Sequence, residues 1–132
     1  MRDGPRSTLE ERVVAAVQEG EEELVAMASD LVTFDTTARN IGDAPRQEAE
    51  LQEYLRRRLA DLGAETDVWE PEPTGSGNRV VPDGLDFTGR PQLAARLRGA
   101  GAGRSLLLNG HIDAVSAEPV GQWTSHPHRP EI

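Results

Sequence analysis

The 132-residue chain has no cysteine. That excludes disulfides, Cys-ligated zinc, iron–sulfur clusters and cysteine nucleophiles. It also has no lysine, since all 14 basic residues are arginine. Together with the abundant Ala, Gly, Val and Pro, this matches a GC-rich coding bias and carries no mechanism. Basic residues are outnumbered by 23 acidic ones, for a net charge of −9, which argues against nucleic acid or an anionic membrane surface as a partner. No apolar run is long enough to span a bilayer. The charged stretch Met1 to Glu11 has no apolar h-region, so it does not read as a secretory signal. A soluble, cytoplasmic protein is the resulting expectation. No Gly-rich loop follows a strand and opens a helix, and no Gly-x-Ser-x-Gly elbow is present, which removes phosphate cradles and the common serine hydrolase. There is no internal repeat.

Apolar residues make up 36% of the chain, and glycine lifts the fraction to roughly 45%, ordinary for a globular protein. The length suits one domain or a piece of a larger one. Leu9, Val13, Val17, Leu24, Met27 and Leu31 recur in steps that place them on one face of a long helix, with a possible break at Gly20. Ser7 or Thr8 is the candidate N-cap, and Phe34 to Thr37 reads as a helix-ending turn. A second helix is predicted from an Asp43 N-cap, with Pro45 in its first turn and Leu51, Tyr54, Leu55, Leu59 and Leu62 on one face. It stops at Gly63. Strands are predicted at Ala64–Trp69, Gln92–Leu97 and Ser105–Asn109, with a long irregular loop from Pro71 to Gly89. The class is therefore α/β: two N-terminal helices followed by a small mixed sheet. Three strands are few for a sheet whose last strand is apolar enough to be central, so either the sheet is small or strands are missing.

The last of these strands carries the chemistry. Leu106-Leu107-Leu108 is a short apolar run that ends in Asn109-Gly110-His111-Ile112-Asp113, and it reads as a strand buried on both faces. Open α/β sheets place their sites at the carboxyl ends of such strands. Side chains two apart in an extended segment point to one side, so His111 and Asp113 can face one site together. A neutral imidazole binds a metal through one nitrogen while a carboxylate orients the other. The opposing reading is a surface His-x-Asp turn with Asp113 capping backbone amides. His126 and His128 have a spacing that suits a metal, but histidines in a proline-rich tail are more often solvated. Trp69 and Trp123 read as packing anchors, and Arg56-Arg57-Arg58 as a solvated helix face.

Taken together, Leu31–Thr37, Glu48 through Ala64, Leu107–Val115 and Trp123–Pro130 resemble, in order, blocks of the amino-terminal part of the M20 family of zinc-dependent peptidases and deacylases. Acetylornithine deacetylase and succinyl-diaminopimelate desuccinylase belong to that family. Ala114 and His128 depart from its pattern. The resemblance implies that residues 1–132 are the N-terminal part of a zinc-peptidase-like three-layer α/β/α catalytic domain. It also implies that His111 ligates one of two zinc ions (cobalt or manganese being possible), and that Asp113 is the catalytic-site carboxylate orienting it. The activity implied is hydrolysis of an N-acyl-amino-acid or peptide amide, with paired metals polarising the carbonyl and activating water. The family's other ligands, its general base and its dimerising lid would lie beyond Ile132. The chain alone is thus expected to be inactive, and a homodimer is expected only of the full-length form. The competing readings are a non-catalytic interaction or assembly partner, and a small metal module built from His111, His126 and His128.

Overall fold

A computed structural model describes residues 8–37, 43–72, 86–101 and 103–132. Helix α1 spans Thr8–Glu19 and α2 spans Glu21–Val32, so the long amphipathic pattern does break at Gly20, which serves as the N-cap of α2. Glu21, Glu22 and Glu23 then fill the first turn of α2, where acidic side chains complement the helix dipole. Helix α3 spans Glu48–Asp61, and Gly63 follows it at φ +82°, the left-handed geometry that ends a helix without Cβ strain. Strand β1, Glu65–Trp69, and strand β2, Gln92–Arg96, pair antiparallel, with Glu65 opposite Arg96 and Trp69 opposite Gln92. A single 3₁₀ turn, Val120–Gln122, follows late in the chain.

Among the described residues the architecture is thus a small α/β fold of three helices and one two-stranded antiparallel sheet, with α3 packed on the sheet. The mixed three-stranded sheet is corrected. Among the described residues Ser105–Asn109 pairs with no strand, and Leu107 is 89% exposed. The run has the composition of a central strand but lacks the hydrogen-bonded neighbours that such a strand requires. Nor does α3 begin at Asp43. Arg90 donates to the Asp43 carbonyl at 2.7 Å, and Arg46 pairs with Asp35, so residues 43–47 follow an irregular path instead. Ser7, the Asn40–Gly42 stretch and most of the Pro71–Gly89 loop lie outside the described residues.

The buried apolar centre is small. Leu51, at 5% exposure, is the buried hydrophobic side chain among the described residues. Beside it on α3, Gln52 is buried and donates to the Pro91 carbonyl at 3.2 Å, tying the helix to the entry of β2. Tyr54 joins α3 to α2 by donating to Asp30 Oδ2 at 2.8 Å, and its ring lies 5.6 Å from that of Phe34. Leu9, Val13 and Val17 of α1 remain exposed among the described residues, whereas Met27 and Leu31, the α2 end of the apolar stripe read from the sequence, are half-buried. No helix among the described residues is long and apolar enough to cross a membrane.

Candidate functional site

His111 and Asp113 stand together, as their spacing predicts. His111 Nδ1 lies 2.9 Å from the Asp113 backbone oxygen and 3.0 Å from its Oδ1. Both neighbours are acceptors, so the neutral ring carries its proton on Nδ1 and donates it to Asp113. That leaves Nε2 with an available lone pair, and the imidazole is 83% exposed. The carboxylate therefore orients the histidine, and it does so in the open rather than at the end of a buried strand.

What holds this segment is a contact the sequence does not announce. Thr37 forms an isolated parallel bridge with Ala114. Thr36, only 3% exposed, donates its hydroxyl to the Ile112 carbonyl at 2.6 Å, and its own carbonyl accepts from the Ala114 amide at 3.1 Å. The expected helix-ending turn is thus a docking strip for the His111–Asp113 segment. Asp35 anchors the strip. Its carboxylate accepts from the Thr37 amide at 3.1 Å and the Thr37 hydroxyl at 2.7 Å, and it is ion-paired with Arg46. The Asp35 backbone exchanges two bonds with Gln47, at 2.8 and 3.1 Å, which fixes the strip to the start of α3. The only available signal was the polar cluster Asp35-Thr36-Thr37, whose side chains bond readily to nearby backbone.

An apolar hollow of about 590 Å³ adjoins the segment, walled by Phe34, Leu51, Ile112, Trp123, His111 and His128. Trp123 is not a buried anchor. It stays exposed at the hollow's edge while its indole N–H donates to the Ala117 carbonyl at 2.8 Å. Trp69 is likewise exposed. His126 Nδ1 accepts from the His128 amide at 3.2 Å, and His128 Nδ1 donates to the Val32 carbonyl at 3.1 Å. His128 Nε2 faces Asp35 at 3.9 Å. No group of three or more His, Cys, Asp or Glu side chains able to hold a metal occurs among the described residues. The three-histidine module therefore finds no support. Of the arginine run, expected as a solvated face, only Arg57 is exposed; Arg56 and Arg58 are half-buried, with Arg56 and Arg57 paired to Glu53 and Arg58 reaching across to Glu23 of α2.

The donor set bears on a metal in two ways. His111, with a fixed tautomer and a free Nε2, fits the part of a single ligand. A catalytic zinc needs about three protein ligands and an open position, and these residues do not assemble them.

No family model matches the chain. It is 31% identical over 122 residues to the N-formyl-4-amino-5-aminomethyl-2-methylpyrimidine deformylase of Halalkalibacterium halodurans, covering 89% of this chain. It is 26% identical over 117 residues to the deformylase of the same name from Bacillus subtilis, covering 86% of this chain. These findings overturn the reading of the chain as an M20 peptidase or amino-acid deacylase, because both relatives are deformylases of an aminopyrimidine. The coarser expectation stands, in that the relatives remove an acyl group from nitrogen. The chain spans 23% of the length of each of these curated relatives.

Proposed function

We propose that this chain forms part of an amide hydrolase that removes a formyl group from the amine nitrogen of a small heteroaromatic substrate. The observation that carries the reading is the His111–Asp113 pair, a tautomer-fixed imidazole with a free Nε2, in a chain whose two matched relatives are deformylases. In this reading His111 supplies one ligand to a divalent metal, zinc by preference. The other ligands and the general base come from polypeptide outside these 132 residues. The chemistry a metal held by His111 would supply is polarisation of the formyl carbonyl and a more acidic bound water. The chain's own contribution is positional: the two Asp113 acceptors beside Nδ1 favour the tautomer protonated there, which leaves Nε2 free to ligate. The described residues would form one part of a larger α/β catalytic unit.

The test is formate release from N-formyl-4-amino-5-aminomethyl-2-methylpyrimidine. It is measured with this chain alone and with this chain substituted for the matching segment of the Halalkalibacterium halodurans relative. The chain alone should release none. The chimera should turn over, and His111→Ala in it should lower the rate by at least about 10–100-fold, the scale already seen when only a ligand's supporting partner is lost. Full activity in the His111→Ala chimera would remove the assignment.

A further inference from the structure

We propose that Thr36 is a positioning residue for the His111–Asp113 pair, acting through the backbone on either side of Asp113. The inference rests on the reading of that pair as a site. Its own observation is independent: Thr36 brackets Asp113 with two hydrogen bonds. The hydroxyl donates to the carbonyl of Ile112, the residue between the pair, at 2.6 Å, and the Thr36 carbonyl accepts from the Ala114 amide at 3.1 Å. Bonds to the residues immediately before and after Asp113 restrict the backbone from which both side chains project. Side chains at 111 and 113 share a side only while that backbone stays extended.

Two facts set this hydroxyl apart from an ordinary loop contact. Thr36 is buried, so its Oγ1 has no water to turn to when the Ile112 carbonyl moves away. And Thr36 is itself held, through Asp35 and Gln47, to the first turn of α3. The exposed pair therefore takes its placement from a buried residue 76 positions away in sequence. His111 and Asp113 have no other such anchor among the hydrogen bonds of the described residues: their own bonds are to each other.

The test uses the ¹⁵N signals of the His111 ring and the exchange rate of the Ala114 amide in the 132-residue chain. In the wild type, Nδ1 should read as protonated and Nε2 as unprotonated, and the Ala114 amide should be protected. Thr36→Val keeps the shape and removes the donor. It should draw the two ring-nitrogen signals together as the tautomers mix, and speed Ala114 exchange by about tenfold. Thr36→Ser restores the hydroxyl and should restore both readouts, which a purely structural role for the methyl group would not do. If Thr36→Val leaves the ring signals unmoved while Asp113→Ala moves them, the proposal is overturned and the pair survives. If both variants leave them unmoved, the Thr36 proposal is overturned and the proton is held by the Asp113 backbone oxygen, 2.9 Å from Nδ1, rather than by the carboxylate. Should Thr36→Val fail to fold, the wild type decides: an Ala114 amide exchanging at the unprotected rate overturns the clamp.

Discussion

Two leucines give the sharpest check on where this chain keeps its stability. Leu51 on α3 is 5% exposed, and Leu107 is 89% exposed. Truncating a buried leucine to alanine costs about 2–5 kcal/mol, the larger values arising where a closed cavity is left. Leu51 borders the open 590 Å³ hollow, so little sealed void would be created and the loss should fall at the low end, about 2–3 kcal/mol. Leu107→Ala removes side-chain surface that water already covers, and the effect should stay within about 0.5 kcal/mol. With a urea slope of about 1 kcal/mol/M, suited to a small core, the first change moves the midpoint by about 2 M or abolishes the transition, and the second leaves it in place. Far-UV circular dichroism against urea, at two protein concentrations tenfold apart, is the assay. If Leu107→Ala is as damaging as Leu51→Ala at both, the assignment of the core to α3 is wrong.

The two glycines with left-handed backbone separate torsional from steric cost. Gly63, at φ +82°, has open space around a notional Cβ, so Gly63→Ala should cost about 1 kcal/mol from the backbone alone. Gly89, at φ +73°, would place a Cβ 2.7 Å from Pro45 Cγ, so Gly89→Ala should lower the melting temperature further than Gly63→Ala; equal shifts would count against that contact. Hydrogen bonds from Arg56 and then Arg57 pull the Glu53 carboxyl from its ordinary 4.5 down to about 2. Because the folded value lies below the unfolded one, the pair supports α3 fully above pH 4.5 and is lost as the pH falls through about 2. Helical signal should decline across that window, less so in high salt, where exposed pairs are screened. Glu53→Gln should flatten the decline, and an unchanged acid profile in that variant would refute the link.

What could be read from the sequence was local. The break at Gly20, the stop at Gly63 and the strands expected at Ala64–Trp69 and Gln92–Leu97 each follow from propensity and punctuation within a few residues, and each is present, the strands one residue shorter at Glu65–Trp69 and Gln92–Arg96. The His111–Asp113 pair was legible for the same reason, since side chains two apart need only an extended backbone to meet. What was not legible depended on distant partners. An apolar run states that Leu106, Leu107 and Leu108 would gain from burial, but nothing in its composition says whether a neighbouring strand is there to receive them. The start of α3 shifted because Arg90 and Asp35 hold residues 43–46 from elsewhere in the fold. Thr36 read as a turn because its partner is far along the chain. The motif blocks pointed to cleavage of an amide but not to the acyl group, and the matched relatives place that group as formyl in their own substrates.

The separation of 76 residues between Thr36 and Ile112 also sets the order of assembly. Closing a flexible loop of that length costs about 4 kcal/mol in chain entropy, whereas hydrogen bonds of this kind return about 1 kcal/mol each. Two such bonds cannot close it from an unstructured chain. The helix α3 and the hairpin of β1 and β2 must condense first, shortening the effective loop before residue 112 can find residue 36. The His111–Asp113 segment is therefore a late-forming element with high contact order. It should be the first region released on warming, well before the helices melt.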